Sequence, residues 1–94
     1  MNLAVDIIKR GNGRQSEKFM REKLHKSIAA ACLSVRTPEG QAETIANAVC
    51  ESVIGWLQHH PEVTSQDIRI VTAKRLKVYH PEAAYLYEQY RITI

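Results

Sequence analysis

Residues 4–13 read AVDIIKRGNG, a strand-like run followed by a turn signal. The run is short and rich in β-branched residues, which favours a strand. The dipeptide Asn12-Gly13 is a strong short signal for a hairpin turn, because both residues tolerate a positive φ. The chain returns over about residues 15–19, so the sequence predicts a β-hairpin over about residues 4–19.

Beyond Phe19 the apolar residues recur every three or four positions, a pattern typical of amphipathic helices. Thr37 is predicted to cap the second helix, with Pro38 in its first position, and Ser65 is predicted to cap the third. Residues 62–64 are expected to be extended and to add a short third strand to the hairpin. The predicted helices span about residues 21–35, 38–59, 65–79 and 81–91.

These elements predict a single α+β domain over residues 1–94, a four-helix cluster capped by a β-hairpin or small three-stranded sheet. The content of 45% hydrophobic and 24% charged residues, with a net charge of +3, is ordinary for a globular domain.

The longest apolar stretch, Ile28 to Leu33, is far shorter than the roughly 20 residues of a membrane span. The first residues lack the pattern of a signal peptide, which predicts a cytoplasmic protein with reduced Cys32 and Cys50.

The common catalytic and metal-binding signatures are missing from the sequence, including GxSxG, HExxH, CxxC and the P-loop. His59 and His60 are adjacent, so on a helix they would point about 100° apart and would not form the i,i+4 pair that favours a metal. Cys32 and Cys50 lie in or beside apolar stripes, where free cysteine usually behaves as a small hydrophobe. The sequence therefore predicts no catalytic site and no metal site, and so a protein that is not an enzyme.

Two adjacent cations, Lys9 and Arg10, precede the glycine-containing turn at residues 11–13. Glycines let backbone N–H groups approach an anion, and neighbouring cations can hold phosphate oxygens. Lys23 lies in the first turns of the next predicted helix, close enough in this topology to contact the same anion as Lys9 and Arg10. The pattern predicts an anion site, although a Lys-Arg pair beside a turn is by itself more often solvated surface charge.

Three stretches share an order and a spacing with a known family. The first is Ile7-x-Lys9-Arg10, a glycine turn, Glu17-x-Phe19 and Lys23-Leu24. The second is Val63-Thr64-Ser65-x-x-Ile68 with Leu76 eight residues later, and the third is Ala84-x-x-Tyr87-x-x-Tyr90-Arg91. Together, from about Val5 to Arg91, they resemble the ATP-cone domain.

The resemblance implies a regulatory domain that binds ATP or dATP. Magnesium is expected with the nucleotide, because a triphosphate normally binds together with this ion. Such domains occur in ribonucleotide reductases and in the bacterial repressor of reductase genes. In the family the nucleotide lies between the hairpin and the helices, and its identity changes the oligomeric state of the host protein. The partners implied for this chain are an adenine nucleotide and either further copies of itself or a ribonucleotide reductase subunit.

The resemblance also assigns nucleotide-binding roles by position. Lys9 and Arg10 match the phosphate-binding pair, and Lys23 matches a third phosphate contact. Arg69 stands where some members have a histidine close to the nucleotide, and Arg91 matches a supporting cation.

The remaining assigned positions surround the base and the sugar. Ile7, Leu24 and Tyr90 match apolar positions around the base, for which plain core packing is the alternative. Glu17 and Ser65 match polar positions near the base or sugar. Met20 departs from the family, whose members usually have Asp or Asn there, so one polar contact to the nucleoside is missing.

Two other functions stay open on the sequence alone. The first is an interaction or assembly domain that keeps the ATP-cone fold but has lost nucleotide binding. It is favoured by the Met20 departure and by the hairpin, which is about two residues longer than the compact form that the resemblance implies. The second is a small nucleic-acid-binding module, which the positive charge allows. The scattered cations, which are not interleaved with exposed aromatic residues, make it the least favoured.

Overall fold

The computed structural model of the protein describes residues 2–8, 16–60 and 62–89. Its strands are β1 (Asn2–Ile8), β2 (Ser16–Met20) and β3 (Glu62–Thr64), and its helices are α1 (Arg21–Ser34), α2 (Glu39–Leu57), α3 (Ser65–Tyr79) and α4 (Pro81–Gln89). The described residues are therefore mostly helical, in four helices as the hydrophobic pattern predicts. None of these helices is long and apolar enough to span a membrane.

The three strands form a sheet in the order β2-β1-β3. β1 runs antiparallel to β2 and parallel to β3. Ile7 pairs with Glu17 on one side and with Val63 on the other. Ile8 pairs with Thr64, the residue that directly precedes α3. The sheet therefore places the start of α3 beside the end of β1.

The core lies among the four helices and one face of the sheet. Its largest fully buried side chains include Phe19, Leu24, Ile28, Leu57, Ile68, Leu76 and Tyr87. The thiols of Cys32 and Cys50 are also fully buried, and burial raises the pKa of Cys50 to about 11. Both cysteines are thus protonated packing residues, as their place in the apolar stripes predicts.

Helix α1 ends in a Schellman motif. The N–H of Arg36 donates to the carbonyl of Leu33 at 3.0 Å, and the N–H of Thr37 donates to the carbonyl of Cys32 at 3.1 Å. Arg36 has a φ of 64°, the left-handed conformation that usually selects glycine at this position. The hydrogen bonds of the motif satisfy the last carbonyls of α1 and reverse the chain toward α2.

The prediction that Thr37 caps α2 is wrong. The cap is Pro38, whose carbonyl accepts the first helical hydrogen bond, from the N–H of Ala42 at 2.8 Å. The hydroxyl of Thr37 lies instead 2.8 Å from Nε2 of His80, in the segment between α3 and α4. This contact joins two loops that are far apart in sequence. Local capping patterns do not predict such long-range contacts.

The cap of α3 lies one residue earlier than predicted. Thr64 and Asp67 form a capping box, in which the Thr64 hydroxyl accepts from the Asp67 N–H at 3.0 Å. The Asp67 carboxylate accepts in return from the Thr64 N–H at 3.0 Å. Ser65 is consequently the first helical residue of α3, and its hydroxyl is not needed for capping.

Candidate functional site

The backbone brings three of the predicted nucleotide-binding positions to one end of the sheet. Ile7 and Glu17 are paired across β1 and β2, and Ser65 follows the β3 residue that pairs with Ile8. Lys9 and Arg10 follow directly in sequence at this end of β1. They lie outside the described residues, as do Tyr90 and Arg91.

The adjacent pair Lys23 and Leu24 divides between surface and core. Lys23 is exposed on the first turn of α1 and makes no hydrogen bond or ion pair with the described residues. Leu24 has 0% of its surface exposed and belongs to the core, as the packing alternative predicts. In this structure only Lys23 of the pair is accessible to a ligand.

Helix α3 carries Ser65 and Arg69 one turn apart, so both lie on the same face. Arg69 is partly buried, and its Nε is a buried donor without a hydrogen-bond partner among the described residues. An unpaired buried donor on a cation is costly, and an anion would satisfy both the charge and the hydrogen bond. Arg69 is thus the partly buried cation of the candidate site, and Lys23 is the exposed one.

Arg69 also lines a cleft of about 330 Å³ between α3 and α4. The other lining residues are Gln66, Ile70, Ala73, Lys74 and Glu88. The cleft therefore combines two cations and one acid with an apolar floor. Lys23 and Ser65 are not among its lining residues, so Arg69 is the one described residue of the predicted nucleotide site that lines this cleft.

A buried hydrogen-bonded pair, Ser27 and Tyr87, lies behind these residues. The oxygens of the two side chains are 2.9 Å apart, and the Ser27 hydroxyl donates to the Leu24 carbonyl at 2.7 Å. Burial raises the pKa of Tyr87 to about 12, while its polar contacts with Ser27 and Thr72 and the charge of Arg69 oppose that rise. Tyr87 is therefore neutral at any physiological pH.

The sequence analysis did not predict this hydrogen bond, although the sequence contains an indication of it. Ser27 is a polar residue inside the apolar stripe of α1, and Tyr87 belongs to the closing stretch that resembles the family. A buried hydroxyl needs a partner, so a serine on an apolar stripe and a tyrosine on another indicate a hydrogen bond between them.

Three of the four described histidines make side-chain contacts. His25 lies 3.5 Å from Glu43 across α1 and α2, and His80 contacts Thr37. His60 stacks on Trp56 with ring centroids 4.2 Å apart. No group of three or more His, Cys, Asp or Glu residues in the described part of the chain could hold a metal ion.

Two cations outside the candidate site, Arg21 and Arg75, contact other side chains. Arg21 lies 3.3 Å from Glu51 across α1 and α2, and Arg75 donates to Ser52 at 3.1 Å. By contrast, Lys23 and Arg69 are without partners in the described residues. Lys23 follows Met20, which pairs with Asn2 at the opposite end of β1 from Ile8 and Thr64, so the strand pairing does not by itself bring Lys23 next to Arg69.

Comparison with known proteins identifies the family to which the chain belongs. The model of the ATP cone domain matches residues 6–92, nearly the whole chain. No curated protein and no solved structure matches the sequence. A match of this extent, over a mostly helical chain with its strands at the same positions as the resembling motifs, shows that the chain belongs to the ATP-cone domain family.

Proposed function

We propose that this chain binds ATP or dATP and acts as an allosteric regulatory module rather than as an enzyme. Its nucleotide state would control self-association or docking on a partner of the ribonucleotide reductase type. The observation that carries the proposal is the family match over residues 6–92, because ATP-cone domains are nucleotide-binding regulatory domains. Magnesium would accompany the nucleotide as the counter-ion of its phosphates.

The phosphates would be held by the cations of the site. Lys23 and Arg69 have no competing partner among the described residues, so binding an anion breaks no existing ion pair. Lys9 and Arg10 follow β1 at the same end of the sheet as Ser65, and Arg91 would add a supporting charge. Several cations are needed because a triphosphate carries several negative charges.

The adenosine part would lie against the sheet. Ile7 and Tyr90 would provide the apolar surface for the base, with Leu24 supporting them from the core. Glu17 pairs with Ile7 in the sheet and Ser65 begins α3 close by, and both would hydrogen-bond the base or the sugar. A flat apolar slot with few polar groups is the usual environment of a bound base.

The test is calorimetric titration of the chain with ATP and dATP in the presence of magnesium, with GTP as the comparison ligand. Lys23→Ala is expected to weaken adenine-nucleotide binding at least about tenfold, the usual loss for a charge-assisted hydrogen bond. Lys9→Ala and Arg10→Ala are expected to do the same. Lys26→Ala is the matched control, since Lys26 is an exposed lysine one turn further along α1.

Lys26→Ala should leave the affinity within about twofold, as expected for an exposed lysine that touches no ligand. Equal losses in the Lys23 and Lys26 variants would mean that only the general positive charge matters, which contradicts the site. No heat for either nucleotide, with an unchanged melting temperature, would contradict the proposed function.

An assembly domain without nucleotide binding is the second candidate function. It is favoured by Met20, which is 36% exposed and offers no hydrogen bond where the family usually has Asp or Asn. This candidate predicts that the oligomeric state measured by analytical ultracentrifugation is the same with and without ATP. The regulatory module predicts a nucleotide-dependent change.

A further inference from the structure

We propose that the hydroxyl of Tyr87 links the nucleotide site to helix α4, so that a bound nucleotide tightens α4 against α1 and α3. The inference rests on the proposed function and adds the route by which the site would reach another surface of the molecule. It assigns Tyr87 and Ser27 as positioning residues, neither of which touches the ligand.

The position of the Tyr87 hydroxyl carries the inference. On α1 it is bonded to Ser27, whose own hydroxyl donates to the carbonyl of Leu24, the residue next to Lys23. On α3, Arg69 lines the same cleft as Glu88, the residue next to Tyr87, and its charge lowers the pKa of the Tyr87 hydroxyl. One polar atom of α4 thus interacts with both helices that carry the described cations of the site.

The hydrogen positions follow from the partners. A serine hydroxyl has one hydrogen, and Ser27 gives its hydrogen to the Leu24 carbonyl. Tyr87 must then donate to Ser27, which leaves the Tyr87 oxygen as an acceptor only. A hydrogen bond therefore ties the Tyr87 ring to the second turn of α1.

The network is incompletely satisfied in the described residues. Arg69 Nε on α3 is a buried donor without a hydrogen-bond partner among the described residues. Packing of α4 helps to bury this side of α3, since Arg69 and Glu88 line the same cleft. An anion that pairs with Arg69 offsets the cost of burying its charge, and so favours the conformation in which α4 is docked.

The stability of helix α4 depends strongly on its packing against the rest of the domain. It is only nine residues long, and its buried residues are Ala83, Ala84 and Tyr87. A helix of this length is not stable alone in water, so α4 depends on its packing. Tyr87 is the one large side chain among the three, which makes it the principal anchor of the helix.

The test is amide hydrogen exchange of α4 with and without saturating ATP and magnesium, with the amides of α2 as the internal reference for general stabilisation. ATP is expected to slow exchange in α4 at least about fivefold more than in α2, the lower end of typical coupling between sites. In Tyr87→Phe this extra protection should fall below about twofold, while the ATP affinity stays within about threefold of wild type.

Tyr85→Phe is the matched control, because Tyr85 is on the same helix but 63% exposed. It should respond to ATP as the wild type does. Ser27→Ala removes the acceptor instead of the donor and should abolish the extra protection as Tyr87→Phe does, which covers a failure of either variant to fold.

The outcomes separate the two proposals. If the wild-type chain does not bind ATP, the proposed function fails. If ATP binds but α4 is protected no more than α2, or if Tyr87→Phe responds like Tyr85→Phe, the link through Tyr87 is wrong and the nucleotide site stands.

Discussion

At the scale of single residues, Arg36 bears the clearest local strain. It occupies the left-handed position after α1 with a φ of 64°, where a side chain costs about 1–2 kcal/mol relative to glycine. Arg36→Gly removes this cost but gives the unfolded chain more freedom. The expected result is a gain of about 1 kcal/mol in the free energy of unfolding, seen as a melting temperature roughly 4–8 °C higher.

Arg36→Ala separates the backbone effect from the loss of charge. Alanine keeps a Cβ in the left-handed conformation and also removes the cation that favours a helix C-terminus. It should therefore give no gain in thermal unfolding. If the alanine variant were stabilised as much as the glycine variant, side-chain repulsion rather than backbone strain would be the cause.

Single residues also show which features of the site could be predicted from the sequence and which could not. Lys23 is exposed, but its role as an anion contact stays a prediction, whereas Leu24 is fully buried in the core. The Ser27–Tyr87 bond joins residues 60 positions apart. No local pattern specifies such a pair, because its geometry depends on how α1 and α4 pack.

At the scale of elements, the start of α3 gives a test of which hydroxyl caps the helix. Thr64→Ala removes one half of the capping box and should lower the free energy of unfolding by about 1 kcal/mol. Ser65→Ala should change it by less than about 0.5 kcal/mol, as a surface substitution does, because Ser65 is already inside the helix. Urea denaturation of both variants measures the difference.

The effect of the same two variants on nucleotide affinity should be the reverse of their effect on stability. Ser65→Ala is expected to weaken ATP binding, whereas Thr64→Ala should affect mainly stability. A destabilised Ser65 variant beside an unaffected Thr64 variant would contradict the cap seen in the structure.

The helices follow from apolar periodicity, but their ends depend on more than local sequence. Thr37 has the residue type of a cap and stands next to a proline, yet its hydroxyl contacts His80. Thr64 and Ser65 are both suitable caps, and the structure pairs Thr64 with Asp67. Where two hydroxyls compete, the neighbouring strand decides, since Thr64 is held by its pairing with Ile8.

At the scale of the whole molecule, the sequence predicts the helical content and a third strand, but not the edge of the hairpin to which it is added. The structure places β3 beside β1, in parallel, so that β1 is central. Hydrophobic patterns show which residues are buried and do not specify which strands pair. This pairing is what brings Ser65 and Arg69 of α3 to the end of β1 that leads to Lys9 and Arg10.

The stability of the whole domain should fall at alkaline pH, because two acids are buried in its core in the neutral form. Burial raises the pKa of Cys50 from 9.0 to about 11, and that of Tyr87 from 10.0 to about 12. Unfolding exposes both groups, so above pH 9 the unfolded state releases protons that the folded state retains. Their contributions are complete below pH 9 and are lost as the pH rises through about 11 and 12 respectively.

Each group accounts for a loss on the order of 2–3 kcal/mol, a large share of the roughly 5–15 kcal/mol that stabilises a typical domain. Urea denaturation between pH 8 and pH 11.5 should show the free energy of unfolding falling over this range. The double variant Cys50→Ala/Tyr87→Phe should be less stable at pH 8, since it loses packing and the bond to Ser27, but its stability should depend less on pH. An equally steep fall in the double variant would place the alkaline sensitivity in other groups, such as the surface lysines, because neither substituted side chain can then release a proton.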